Sequence, residues 1–177
     1  MVRVADRGLL GSACSLLIST TGRRLFATTQ TFICRAASRH RLTRDDADVN
    51  AVLLLVEPHH DTRDVYREYL VHVGYDVIAT AEPEYALVLS PYVDAVVTAL
   101  RFGDSVRGLW LIEQLRAAAA TVSTPIVVCT TFAFGPEREL AETAGCNAFL
   151  VKPCMPDALA AAVATVLTDS ATGPTAR

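Results

Sequence analysis

The feature that most constrains this chain is a fivefold alternation of short apolar runs with longer stretches of helical period. The first run, Ala51 to Val56 (AVLLLV), is apolar at every position. Such a run suits a strand buried on both faces. Asp61 to Val73 then places Val65, Tyr69 and Val73 at helical spacing, and Gly74 supplies a C-terminal stop. The pair recurs as Asp76–Thr80 with Pro83–Leu89, Ala95–Ala99 with Leu109–Ala119, Ile126–Thr130 with Pro136–Ala144, and Ala148–Val151 with Pro156–Leu167. Alternation of this kind forces parallel strands joined by right-handed crossovers. The expected fold is therefore α/β: an open, doubly wound, five-stranded parallel sheet with helices on both faces. In such sheets functional residues gather beyond the carboxyl ends of the strands.

Charge divides the chain in two. Residues 1–44 carry eight Arg (3, 7, 23, 24, 35, 39, 41 and 44) against one acid, Asp6, a net +7, so the remainder of a chain whose total is -3 carries -10. The acidic remainder repels a phosphate backbone, which argues against a nucleic-acid binder. Residues 1–44 show no sustained period. They read as a disordered extension or an upstream start, with a faint likeness to a signal or transit peptide in Leu9 to Ile18. Arg44 to Asn50 reads as a linker. The expected division is 1–50 as extension and linker, 51–168 as the domain, and 169–177 as a flexible tail.

Cys14, Cys34, Cys129, Cys146 and Cys154 form no CxxC pair and no zinc-ligand spacing. An odd count of this kind suits reduced thiols and a cytoplasmic location. No apolar run reaches the ~20 residues that span a bilayer, so no membrane association is expected.

The strand ends carry the chemistry. The first ends in Glu57-Pro58-His59-His60-Asp61, the third in Thr98-Ala99-Leu100-Arg101-Phe102, the fourth in Cys129-Thr130-Thr131 and the fifth in Val151-Lys152-Pro153. A strand and an acidic turn, a fourth strand shaped Pro-Ile-Val-Val-x-Thr, and Ala144-Gly145-Cys146-x-x-Phe149-Leu150-Val151-Lys152-Pro153 together resemble the receiver domain of two-component response regulators. The resemblance covers Ala51 to Leu167. It implies a flavodoxin-like receiver fold with strand order 2-1-3-4-5.

In that family an aspartate after the third strand takes a phosphoryl group from a partner histidine kinase. Mg2+ held by acids neutralises the phosphoryl oxygens, while a Lys and a hydroxyl bind the rest. By this resemblance Glu57 occupies the first acidic position, Thr130 the hydroxyl position, Lys152 the lysine position and Phe149 the aromatic switch position. Pro58 stands in place of the second acid and Ala99 in place of the acceptor. A methyl group cannot attack phosphorus, and proline has no side-chain oxygen for a metal. Glu57, Pro58, Ala99, Thr130 and Lys152 thus read as a vestigial receiver pocket, with no metal or other cofactor expected and Mg2+ binding weak or absent.

Other residues near these ends have plainer readings. Shifting the register by one would put Thr98 at the acceptor position, but would also flip the faces of the strand. Asp104, in a loop one residue longer than the common form, is the alternative carboxylate. Lys152 is expected to pair with Glu57, and the Lys152–Pro153 bond resembles the family's cis proline. Asp61 reads as a helix N-cap. His59 and His60, being adjacent, point apart and do not suggest a metal site. Cys129, Cys146 and Cys154 fall on neighbouring segments and read as small apolar fillers, a redox switch being the sharper alternative. Trp110, with Leu111 and Leu115, reads as core.

The expected protein is a single-domain, phosphorylation-independent pseudo-receiver that acts by protein–protein interaction. Its partners would be a histidine kinase, another regulator or an output protein. A homodimer could form through the face of the fourth helix, fifth strand and fifth helix. Two readings compete: a receiver phosphorylated at a carboxylate such as Asp104, and an enzyme on a flavodoxin-like fold. Glu57-Pro58-His59 supplies neither a phosphate loop nor Asp-x-Asp, so no enzymatic activity is expected.

Overall fold

A computed structural model describes residues 50–131 and 136–172. The expected extension at 1–44 therefore lies outside the described residues, as do Cys14 and Cys34. The elements are β1 (Val52–Val56), α1 (His60–His72), β2 (Asp76–Thr80), α2 (Pro83–Leu89), a 3-10 turn (Ser90–Tyr92) and β3 (Ala95–Thr98). They continue with α3 (Arg107–Ala117), β4 (Ile126–Thr130), α4 (Glu137–Ala144), β5 (Ala148–Val151) and α5 (Pro156–Thr172). The strands form one parallel sheet in the order β2-β1-β3-β4-β5. This is the doubly wound receiver topology that the alternation and the resemblance lead one to expect.

The side-chain alternation of each strand builds a core on each face. Val52, Leu54 and Val56 of β1 face one way, onto Ala86 and Leu89 of α2, Leu111, Ile112 and Leu115 of α3, and Ala141 of α4. Leu53 and Leu55 face the other way, onto Tyr66 and Leu70 of α1 and Leu159, Val163 and Val166 of α5. All five positions of β1 are buried, as an all-apolar run requires.

Several details differ from the expectation. Asp61 is not the N-cap: α1 begins at His60, His59 holds the cap position without a side-chain bond, and Asp61 is exposed in the first turn. Trp110 is not core. It is 37% exposed, because Leu111, Ile112 and Leu115 form the buried stripe of α3 and residue 110 lies off it. α3 starts at Arg107, not Leu109, since Gly108 enters the helix and donates its N–H to the Leu100 carbonyl. α5 runs past Leu167 to Thr172, into the expected tail, with Thr165 and Thr168 hydroxyls bonded back to the Ala161 and Ala164 carbonyls.

No helix among the described residues is long and apolar enough to cross a membrane.

Candidate functional site

The parallel register fixes the site. Val56 lies opposite Thr98 and Thr98 opposite Val128, so the residues leaving β1, β3 and β4 emerge side by side. The Ala99 N–H continues the ladder by donating to the Val56 carbonyl at 3.0 Å, and the Glu57 N–H does so on the other flank to Thr80. On the far side of β4, the Lys152 N–H donates to the Thr130 carbonyl at 2.8 Å. Glu57, Ala99, Thr130 and Lys152 are thereby brought to one edge of the sheet.

Glu57 is buried and fully engaged. Its Oε2 accepts from the Lys152 ammonium, in an ion pair whose side chains are 3% and 10% exposed. Its Oε1 accepts the His59 N–H at 3.1 Å. Arg63, one turn into α1, donates from Nη1 to the carbonyls of Glu57 and Pro58 at 2.8 and 3.3 Å, which fixes the β1–α1 turn. The expected Lys152–Glu57 pairing is thus present, and the Lys152–Pro153 bond is cis.

Below Lys152 lies Tyr66, whose ring centroid is 5.8 Å from Nζ. The Tyr66 hydroxyl donates to the Cys154 carbonyl at 3.0 Å and touches the Cys129 sulfur at 3.7 Å. Burial raises the Tyr66 pKa, and the nearby thiols add to the effect. Tyr66, Lys152 and Cys154 border an open groove of about 550 Å³ between α1 and the β5–α5 turn, lined also by Asp61, Thr62, Val65, Thr131, Pro153 and Pro156.

Ala99 itself is 5% exposed. Thr98, the alternative acceptor, is fully buried and its hydroxyl donates to the Ala99 carbonyl at 2.9 Å. Asp104 sits exposed at the tip of a tight turn, closed by Phe102 and Ser105 with Gly103 at φ +63°. Phe149 lies on the other face of the sheet, packed against the core under α2, α3 and α4, with the Arg138 guanidinium 5.5 Å from its ring centroid. Cys129 and Cys154 share the α1/α5 face, whereas Cys146 packs in the opposite layer.

Mg2+ wants six oxygen ligands, several of them anionic or carbonyl. Pro58 and Ala99 offer no side-chain oxygen, and both Glu57 oxygens are already bonded. The residues present do not fit that ion.

Three features escape the sequence reading. Arg101 forms a partly buried ion pair with Glu137 at 2.8 Å, tying the loop after β3 to the start of α4. Arg63 braces the β1–α1 turn, and Tyr66 supports Lys152. The signal available for the last two was the i,i+3 spacing of Arg63 and Tyr66 in the first turns of the helix that follows Glu57.

A model of the response regulator receiver domain family matches residues 53–164. No curated protein matches the chain. Solved structures with the same fold include the chemotaxis response regulator CheY4 of Vibrio cholerae (24% identity, TM-score 0.60, 67% of this chain and 99% of that one). The receiver domain of the sensor histidine kinase PA1611 of Pseudomonas aeruginosa, with magnesium in its active-site cleft, is similar at 24% identity and TM-score 0.62, over 68% of this chain and 99% of that one. A CheY-like receiver protein of Methanospirillum hungatei aligns at 18% identity and TM-score 0.65, over 71% of this chain and all of the other. With the family model covering well over half of its length, the chain belongs to the response regulator receiver domain family of two-component signalling.

Proposed function

We propose that this receiver works without phosphoryl transfer, as a protein-interaction module. The observation that carries the reading is at the acceptor position. A buried methyl group, Ala99, stands there, and the lysine that would bind a phosphoryl oxygen is held by Glu57. An alanine has no nucleophilic atom, and the charge of a lysine so paired is offset by its carboxylate. Mg2+ binding is then weak or absent, for want of ligands. Output passes through a partner: a histidine kinase, another regulator or an output protein. The face made by α4, β5 and α5, with Phe149 at its root, is the surface for a partner or a second copy. No enzymatic step is assigned to the chain.

The test is incubation of the full chain with Mg2+ and a small acyl phosphate, followed by intact-mass measurement. The expected result is an unchanged mass. A phosphoryl adduct would overturn the reading, and its location at Asp104 would establish the competing one.

A further inference from the structure

We propose that Cys129 and Cys154 are a dithiol that a hydroperoxide closes into a disulfide, independently of anything that happens at Ala99. Cys129 is the fourth residue of β4, and Cys154 lies in the turn between β5 and α5. Strand neighbours alone do not bring them together, because Cys129 pairs with Leu150. Tyr66 does. Its hydroxyl holds the Cys154 carbonyl at 3.0 Å while touching the Cys129 sulfur at 3.7 Å, which folds the turn back over β4. Both cysteines thus meet one hydroxyl, and the Cys154 thiol, which donates to the Met155 carbonyl at 3.4 Å, has only to turn from it to reach Cys129. Cys146 is excluded as a partner, since it packs on the opposite face of the sheet.

The two thiols are unequal in a way that suits sequential oxidation. Cys129 is 2% exposed, whereas Cys154 lines the open groove and is only partly covered. An oxidant in solvent therefore meets Cys154 first. The Cys154 sulfur attacks the distal oxygen of the hydroperoxide, breaking the O–O bond. This gives the sulfenic acid, and the thiol proton leaves with the alkoxide as an alcohol or water. The Cys129 sulfur then attacks the Cys154 sulfur, the S–O bond breaks, and hydroxide leaves with the Cys129 proton as water. Two thiols and one hydroperoxide give one disulfide, one alcohol or water, and one further water. Burial raises the Cys129 thiol to about 11 although the Lys152 ammonium pulls the other way, so the second step is the slower one and quickens as pH rises. Disulfides of this sort in reducing compartments are transient and sensory, so reversal by a dithiol is part of the proposal.

The experiment treats the reduced full-length protein with stoichiometric hydrogen peroxide, blocks remaining thiols by alkylation, and maps peptides by mass spectrometry. The expected product is a Cys129–Cys154 cross-linked peptide, two hydrogens lighter than the reduced pair and lost on adding dithiothreitol. In Cys154→Ser, Cys129 stays alkylatable after unfolding, with at least tenfold less oxidation. In Cys129→Ala, whose fold is checked by circular dichroism, Cys154 accumulates as a sulfenic acid trapped by dimedone. Oxidation of Cys154 with Cys129 left free in the wild type would overturn the proposal. So would a dominant disulfide to Cys14, Cys34 or Cys146.

Discussion

The Lys152 ammonium closes on the Glu57 carboxylate across the ends of β5 and β1, with both side chains almost sealed from water. Removing one member of such a pair leaves a buried charge without its counterpart, which costs about 3–5 kcal/mol. Replacing both by apolar residues of similar volume is close to neutral, because the desolvation cost of two charges disappears together. Lys152→Ala is therefore expected to lower the unfolding free energy by about 3–5 kcal/mol, and Lys152→Met with Glu57→Leu by less than about 1 kcal/mol. Urea denaturation of the two variants checks this. Equal losses in both would show that the pair does more than neutralise itself.

Ala99 and Pro58 are expected to act as a coupled loss. Ala99→Asp alone restores a nucleophile but no metal seat, since Pro58 still offers no oxygen and Glu57 is still bound to Lys152. The single variant should take up little phosphoryl group from an acyl phosphate. Ala99→Asp with Pro58→Asp supplies two new carboxylates to Mg2+, and should gain a phosphoryl adduct in intact mass that vanishes when the metal is chelated. Efficient labelling of the single variant would show that the metal site does not depend on residue 58.

Gly108 packs α3 directly onto the chain leaving β3. A Cβ at that position would lie 2.0 Å from the Ala99 carbonyl oxygen and 2.7 Å from the Leu100 Cα. Both are backbone atoms and cannot rotate away. Gly108→Ala should force α3 off the sheet and destabilise the domain at or beyond the top of the ~1–3 kcal/mol range of overpacked sites. A drop in thermal midpoint, despite alanine's better helix propensity, is the expected readout.

Arg116 is a brace between two loops. It donates to the carbonyls of Gly145 at 3.0 Å, Val122 at 3.2 Å and Thr124 at 2.8 Å, and to Asn147 Oδ1 at 2.9 Å. Asn147 Oδ1 in turn accepts the Ile126 N–H that opens β4. A lysine has one compact charge and cannot fork across these acceptors. Arg116→Lys is thus expected to recover little of the roughly 2–3 kcal/mol lost in Arg116→Ala, charged hydrogen bonds being worth about 1.5–3 kcal/mol. Hydrogen exchange should rise at Thr121 to Ile126 and at Gly145 to Asn147 in both variants, and full protection in Arg116→Lys would refute the fork.

The strands were legible because each is short, centred on apolar residues and fenced by turn residues; AVLLLV and the IVVC of β4 need no other reading. Ala99 and Pro58 were legible as strand-end positions, and it is the receiver resemblance that marks them as places where an acid is expected. Helix starts were harder. Asp61 carries the right side chain for a cap, yet the turn is fixed instead by Arg63 reaching back to the Glu57 and Pro58 carbonyls. Trp110 shows the limit of composition, since its place on α3 depends on which side α2 and α4 flank. Arg101–Glu137 and Arg116 join residues 36 and about 29 apart in sequence, and no local pattern marks a side chain that bonds so far along the chain.

Cys129 makes the fold sensitive to alkali. Burial pushes its thiol up from the ordinary 9.0 to about 11. The unfolded chain therefore loses this proton near pH 9, while the folded protein keeps it until about pH 11. Between those values the folded state binds more protons than the unfolded state, so stability falls as pH rises. The contribution is intact below pH 9 and gone above about pH 11, and is on the order of 2 kcal/mol. Tyr66, whose pKa is raised in the same direction, extends the loss to still higher pH. The thermal midpoint should thus be level from neutral pH to about pH 9 and decline beyond it. Cys129→Val fills the same apolar site without an ionisable group, and should flatten the first part of that decline while leaving the Tyr66 part. Parallel curves for wild type and Cys129→Val would show that the alkaline loss originates elsewhere.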